Sequence, residues 1–203
     1  MVADPSPLAT FSDRHTLVYE RTYPHDIDLV WDAVSTAEHL DVWMLPESRV
    51  ERRVGGACAF GWGGSADDPA ASRGTVTIFE PPTTIEYTFE DDSSVKGGGS
   101  FMRFDLSPDG ESSTRLLFTL RFVPAHGDDV DHPYEGGDLP AGPNSAWRPG
   151  FLAGYHEMLD DLRGYLVGEW SAADRAAHLE HVDNEHHLAL IKRYRDHIRT
   201  TCP

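Results

Sequence analysis

The sequence predicts an α+β domain in which a curved antiparallel sheet wraps around one long helix. A strand-like stretch comes first, and two short helical segments follow it. Six further stretches then alternate apolar and polar residues between turn-forming residues, and a long amphipathic helical pattern comes after them. A single antiparallel sheet with one apolar face needs a cover, and only that long helix can lie across it.

The first strand is predicted over residues 15–23, where HTLVYERTY alternates and is rich in β-forming residues. Pro24 ends this strand because its fixed backbone interrupts regular pairing. Asp26 begins a segment whose apolar residues recur at helical spacing, and a second short helix is predicted from Thr36 towards Pro46. Two short helices therefore follow the first strand.

The next part of the chain has a period of two, which is typical of strands with one buried face. Turn-forming pairs such as Gly55-Gly56 and Pro81-Pro82 separate the stretches. Short strands at this spacing form a meander, and hence an antiparallel sheet. The candidate strands cover residues 49–53, 57–62, 74–79, 84–90, 100–106 and 114–122.

The C-terminal third contains a loop and two helices. Residues 124–149 are rich in Pro, Gly and Asp, and we expect them to form a partly ordered cover. The helix predicted over residues 150–169 carries one broad apolar stripe. A further helix is predicted over residues 171–199, and its own stripe must be buried against a second copy in a homodimer, another protein or the outside of the sheet. That stripe contains Leu188, Ile191, Tyr194 and Ile198.

Composition excludes several classes of partner. The chain has 203 residues with 17 Lys and Arg against 34 Asp and Glu, which gives a net charge of -17. This acidic protein has no basic patch, so we expect no binding to nucleic acid or to a membrane surface. Two cysteines do not make a disulfide framework, and no run of about 18 apolar residues occurs. We therefore expect a cytoplasmic protein.

Four segments carry a resemblance to a known family: VWDAVSTAEHLDVWM (30–44), RVGGACAFGW (53–62), GTVTIFEPPTTIEYTFE (74–90) and GYHEMLDDLRGYL (154–166). In their order and spacing the chain resembles the START-like helix-grip (SRPBCC) superfamily and, within it, the bacterial homologues of the activator of heat-shock-protein-90 ATPase. The resemblance implies the helix-grip fold with high specificity. It implies function less specifically, because members include carriers of hydrophobic ligands, polyketide cyclases and chaperone regulators.

Inward faces of the strands and helices are expected to line a cavity between the long helix and the sheet. Aromatic side chains with few polar groups suit an apolar or aromatic ligand, although the plainer interpretation of any one of them is that it belongs to a filled core. A shift of one residue in strand register would invert the set. The candidate ligand-binding residues are Trp43, Met44, Phe60, Trp62, Val76, Ile78, Tyr87, Phe89, Phe104, Phe118, Phe151, Tyr155 and Met158.

His156 is the candidate catalytic residue, together with Tyr155. It lies at the edge of the apolar stripe, where it could serve as a general acid or base on a bound carbonyl or phenol, with Tyr155 or Tyr87 as its partner. The alternative is a boundary histidine satisfied by backbone or water. Glu157 falls nearly opposite the stripe and is expected to face solvent.

The sequence contains no motif for a cofactor. A histidine-rich stretch offers His181 and Glu185 on one helical face, but a solvated helix explains it better, and we predict no metal site. Neither a phosphate-binding loop nor a GxSxG elbow is present.

The leading hypothesis is a binding protein for a lipid-like or polyketide-like molecule. A cyclase or hydrolase acting on such a molecule, and a regulator of a chaperone or other protein partner, remain as alternatives. The predicted organisation is an N-terminal tail (1–14), a helix-grip domain (15–168) and a helical C-terminal extension (169–203).

Overall fold

The computed structural model describes residues 6–13, 15–61, 67, 71–88, 99–123, 149–171, 173 and 185–201. The strands are β1 (Thr10–Asp13), β2 (Thr16–Tyr23), β3 (Arg49–Val50), β4 (Ala57–Phe60), β5 (Ser72–Glu80), β6 (Thr84–Thr88), β7 (Phe101–Pro108) and β8 (Thr114–Arg121). The helices are α1 (Ile27–Ser35), α2 (Ala37–Trp43), α3 (Pro149–Leu166) and α4 (Glu185–Thr201). The expected covering loop and the start of the predicted last helix lie outside the described residues.

The strands form one antiparallel sheet in the order β1-β2-β8-β7-β6-β5-β4-β3. The sheet is curved and does not close on itself, which confirms the predicted α+β helix-grip fold. Pairing of β2 with β8 brings the start of the chain beside the end of the meander. One apolar row crosses five neighbouring strands on the inner face, because its members are direct partners from strand to strand. The row consists of Tyr19, Phe118, Phe104, Ile85 and Phe79.

Two edges of the sheet differ from the prediction. The strand expected over residues 49–53 is limited to Arg49–Val50, because the chain turns tightly through Gly55 and Gly56. Gly55 has a φ of 77°, and a Cβ on Gly56 would lie 2.2 Å from the carbonyl oxygen of Glu51. At the other edge, β1 was not predicted because it is short and mostly exposed.

A bulge in β5 changes which side chains face inward. Val76 is paired with Tyr87, but the next pair is Ile78 with Glu86, so the register shifts between Val76 and Ile78. Past the bulge, Phe79 takes the inner face and packs against Trp31 of α1 (ring centroids 5.6 Å apart). The expectation that Ile78 faces the cavity is therefore wrong, since an inserted residue inverts the alternation.

Buried tyrosines of the sheet attach the helices to its inner face. Tyr19 donates a hydrogen bond to the carbonyl of Leu152 (2.8 Å), and Tyr23 donates to that of Leu159 (3.0 Å), both in α3. The two tyrosines are four residues apart in β2 and therefore share a face. Burial raises the pKa of both hydroxyls, so they stay protonated as donors. The long helix is thus held across the sheet, as the sequence predicts.

The C-terminal helix α4 packs against α3 of the same chain and not against the outside of the sheet. Its buried residues are Leu190, Tyr194 and Ile198, whereas Leu188 from the predicted stripe is 51% exposed. The spacing of four places these buried residues on one face. The N-terminal segment contacts this helix as well, because Nε2 of His197 donates to the carbonyl of Ala9 (2.6 Å).

Candidate functional site

The candidate site is an apolar cavity between α2, α3 and the strands β7 and β8. Its volume is about 10 Å³, which is the space of roughly one water molecule. Six of its seven lining residues were predicted from the sequence. The lining residues are Trp43, Met44, Phe104, Phe118, Tyr155, Met158 and Leu159.

Leu159 was not among the predicted cavity residues. It lies four residues after Tyr155 and one after Met158, so helical spacing alone would have placed it on the same face of α3. The strand residues Phe104 and Phe118 are direct partners in the β7–β8 ladder, with ring centroids 4.7 Å apart. The predicted strand parity is therefore correct at the two strands that line the cavity.

The walls of the cavity carry no charge, and the indole of Trp43 already donates to the carbonyl of Ala33 (2.9 Å). An aromatic series leads away from the cavity along α3. Phe118 contacts Tyr155 (5.5 Å between centroids), Tyr155 contacts Phe151 (4.9 Å), and Phe151 contacts Phe122 (6.1 Å). Phe151 and Phe122 are half-buried, so this series joins the interior to the surface.

The other predicted ligand-binding residues occupy different places. Phe60, Val76 and Tyr87 are buried in the core beyond the cavity, and the Tyr87 hydroxyl donates to the carbonyl of Val34 (3.0 Å). Burial raises the pKa of this hydroxyl, which keeps it a donor. Trp62 and Phe89 lie outside the described residues. The predicted set thus divides into a cavity group on α2, α3, β7 and β8 and a core group on β4 to β6.

His156 is buried on the side of α3 that faces α4, and it is not among the residues lining the cavity. Its Nδ1 lies 2.9 Å from the hydroxyl of Tyr194, and its Nε2 lies 3.6 Å from Oδ2 of Asp160. The partner is thus a tyrosine of α4 and not Tyr155 or Tyr87. Burial, and next the positive charge of Arg21, lower the pKa of His156 to about 3. These two effects outweigh the carboxylate of Asp160, which favours the protonated imidazole.

Glu157 is only 5% exposed, so the expectation that it faces solvent is wrong. Its Oε2 accepts a hydrogen bond from Nδ1 of His187 at 2.7 Å. The reason is that α4 covers this side of α3, which helical periodicity alone does not indicate. Asp160, on the next turn, accepts a hydrogen bond from Oγ of Ser6 (2.7 Å).

Among the described residues, no three His, Cys, Asp or Glu side chains are grouped so that they could hold a metal ion. His181 of the predicted histidine-rich stretch lies outside them. None of the described helices combines the length and apolar character needed to cross a membrane.

Comparisons with solved structures identify the fold. The solution structure of CalU16 from Micromonospora echinospora matches 97% of this chain and 95% of its own with a TM-score of 0.66 at 14% identity. A conserved protein of unknown function, EF2215 from Enterococcus faecalis, matches 96% and 91% with a TM-score of 0.59 at 15% identity. The BPP1335 protein from Bordetella parapertussis matches 100% and 97% with a TM-score of 0.57 at 18% identity.

No curated protein matches this chain. A family model does match, under the description "Activator of Hsp90 ATPase homolog 1-like protein", over residues 24–166. This match covers more than two thirds of the chain and spans α1 through α3, which include every lining residue of the cavity. The chain therefore belongs to the family of Activator of Hsp90 ATPase homolog 1-like proteins.

Proposed function

We propose that this protein binds a small apolar or aromatic molecule, lipid-like or polyketide-like, in the cavity between α2, α3 and the sheet. The observation that carries the proposal is the convergence of four aromatic rings and two methionines on one uncharged space. Ligand sites of this kind are concave and mainly apolar. A cytoplasmic location is part of the proposal and is supported by the low cysteine content.

The cavity must widen to accept such a ligand, because about 10 Å³ holds little more than one water. Met158 is the most exposed lining residue, at 7%. Methionine is unbranched and adapts its shape readily, so Met44 and Met158 are the side chains expected to move. The aromatic series from Tyr155 to Phe122 offers further apolar surface for a longer ligand.

The first test is native mass spectrometry of the freshly purified protein, followed by thermal unfolding with a saturating fatty acid and a saturating anthraquinone. A ligand that binds only the folded state raises the unfolding temperature. At 100 times its Kd it adds about 2.7 kcal/mol to the free energy of unfolding. No retained molecule and no shift with either ligand would reject the proposal.

A matched pair of variants locates the bound ligand. Phe118→Leu enlarges the cavity, whereas Phe60→Leu removes a ring of the same size from the core outside it. Both should lose stability, by about 1–2 kcal/mol. Only Phe118→Leu should change the affinity for ligand, by about 0.8 kcal/mol for each CH₂ group the larger space admits. Equal effects of both variants on affinity would place the ligand elsewhere.

A second candidate function is regulation of a chaperone ATPase. The family description favours it, and so does the interior, which is nearly filled in this structure. The test is the steady-state ATPase rate of a purified bacterial Hsp90 with and without this protein, at low and at high salt. A change that survives high salt supports this function, because the net charge of -17 makes weak contacts salt-sensitive.

A further inference from the structure

The side of α3 that faces α4 is buried and yet polar. His156 and Glu157, which both contact α4, are 2% and 5% exposed, although Glu is rarely buried without a partner. The covering elements are α4 and the N-terminal residues 6–11. These two elements together are called the clasp below.

The hydroxyl of Tyr194 lies at the middle of the clasp. It accepts from the backbone N–H of Ala9 (3.3 Å), and it lies 2.9 Å from Nδ1 of His156. The imidazole is 2% exposed and faces the positive charges of Arg21 and Arg193. Burial and these charges disfavour a second proton, so the closed clasp favours a neutral imidazole.

Two further contacts hold the ends of the clasp. Near the start of α4, His187 donates to the carboxylate of Glu157 (2.7 Å), a contact that tolerates a charged imidazole. Near its end, His197 donates to the carbonyl of Ala9 (2.6 Å) and stacks on Phe11 (5.8 Å between centroids). These bonds also persist when the histidine is protonated. Sensitivity to a proton is therefore concentrated at His156.

Apolar packing holds α4 only weakly. Of its 17 residues only Leu190, Tyr194 and Ile198 are buried, compared with ten buried residues in α3, of which all but His156, Glu157 and Asp161 are apolar. Elements with few buried apolar side chains open locally at lower free energy than the core does. The polar contacts therefore contribute a large share of what keeps α4 in place.

We propose that the clasp is a releasable element, opened by mild acid through protonation of His156, and that its opening frees α3. On release, His156 becomes hydrated and accepts a proton, which the closed arrangement disfavours because the imidazole is buried beside cationic side chains. Opening should begin at Tyr194 and proceed towards the C-terminal end of α4. There His197 bonds to Ala9, which is itself part of the clasp, whereas the His187–Glu157 contact still holds the other end to α3. The charged and titratable groups that face His156 are Arg21 and Tyr19 of β2, Asp160 of α3, and His186, Arg193 and Tyr194 of α4.

Freeing α3 bears on the cavity, because Tyr155, Met158 and Leu159 line it from the opposite face of the same helix. A clasp that packs on the outer side of α3 helps to keep the cavity small. Release removes this restraint, although the hydrogen bonds of Tyr19 and Tyr23 to α3 remain. The link between clasp and ligand rests on the proposed function, whereas the opening of the clasp itself does not.

The experiment is hydrogen–deuterium exchange of the full chain at pH 7.5 and pH 5.0, corrected for the intrinsic effect of pH on exchange. The pKa of His156 is about 3 when buried and 6.5 ordinarily, so the opening equilibrium should rise about thirtyfold between these pH values. Faster exchange should appear in peptides from residues 6–11 and 194–201 and not in β7 or β8. His156→Gln, which keeps an acceptor and a donor but does not titrate, should abolish the rise.

A matched pair of tyrosine variants tests the closed contacts at neutral pH. Tyr194→Phe removes the hydroxyl that joins His156 to Ala9, whereas Tyr165→Phe removes another hydroxyl that contacts a histidine, His39 of α2. Only Tyr194→Phe should speed exchange in the clasp. Equal exchange of clasp and sheet peptides in every protein and at both pH values would overturn the proposal. So would a rise at pH 5.0 that persists in His156→Gln.

Ligand binding separates this proposal from the proposed function. The apolar dye N-phenyl-1-naphthylamine is added at both pH values while exchange is monitored. Opening of the clasp at pH 5.0 with no dye bound at either pH would support the clasp and count against the apolar site. Dye bound at pH 7.5 with no exchange difference between clasp and sheet would support the site and reject the clasp.

Discussion

Replacing His156 by glutamine should remove part of the protein's sensitivity to acid. His156 is 2% exposed, and burial with the charge of Arg21 lowers its pKa to about 3, from 6.5 ordinarily. A group whose pKa is lowered on folding contributes its full stabilisation above the unfolded value of 6.5. That stabilisation is lost as the pH falls, because the unfolded chain binds the proton more readily, and the loss is complete near pH 3.

The magnitude follows from the two pKa values. Between pH 7.5 and pH 5.0 the unfolded imidazole goes from mostly neutral to mostly protonated, whereas the buried one stays neutral. The difference amounts to about 2 kcal/mol of unfolding free energy. That is a substantial part of the 5–15 kcal/mol typical of a domain.

The assay is urea unfolding of the wild type and of His156→Gln at both pH values. All other titratable groups are common to the two proteins, so the difference between the two pH effects isolates His156. The wild type should lose about 2 kcal/mol more than the variant. A wild-type loss smaller than this, accompanied by fast exchange in the clasp, would show that the clasp opens before the sheet unfolds. Identical losses in the two proteins, with the clasp protected at pH 5.0, would refute the assignment of a buried neutral imidazole.

Two other features give direct predictions, each measured by urea unfolding at neutral pH. A Cβ at Gly74 would lie 1.8 Å from the carbonyl oxygen of Thr88, so Gly74→Ala should lower the free energy of unfolding by about 2–3 kcal/mol. At Gly154 nothing lies within 4 Å of an added Cβ, so Gly154→Ala should stabilise α3 by about 0.5–1 kcal/mol. A stable Gly74→Ala protein would contradict the close approach of β5 and β6. Tyr23→Phe removes the hydroxyl that donates to Leu159 and should cost about 1 kcal/mol, and no loss would mean that this contact does not hold α3.

The fold could be predicted from the sequence because the alternating and helical patterns of apolar residues each extend over many residues. The eight-residue strands β7 and β8 alternate without interruption, so the inward direction of Phe104 and Phe118 could be predicted. The bulge in β5 has no comparable signal, because the residues from Val76 to Phe79 are all compatible with a regular strand. Ile78 was therefore placed on the wrong face, although its strand was predicted correctly.

The polar side of α3 could not be predicted for a different reason. A helical pattern assigns Glu157 to solvent, since a carboxylate opposite an apolar stripe is normally exposed. Its burial depends on the position of α4. The buried face of α4 differs from the predicted apolar stripe, because Leu188 of that stripe is exposed and Leu190 is buried. Pairing between two distant helices leaves no mark in the local periodicity of either.

Helix α3 therefore lies between two environments of opposite character. Towards the sheet it presents Tyr155, Met158 and Leu159 to an uncharged cavity, and towards α4 it presents His156 and Glu157 to hydrogen-bonding partners. The apolar face can stay in contact with the sheet in any state of protonation, whereas the polar face depends on which groups carry protons. A movement of α3 that admits a ligand either breaks the contacts of α3 with α4 or moves both helices together. Measurements of ligand affinity and of clasp opening in the same variants will therefore show whether the two faces act independently or through the helix they share.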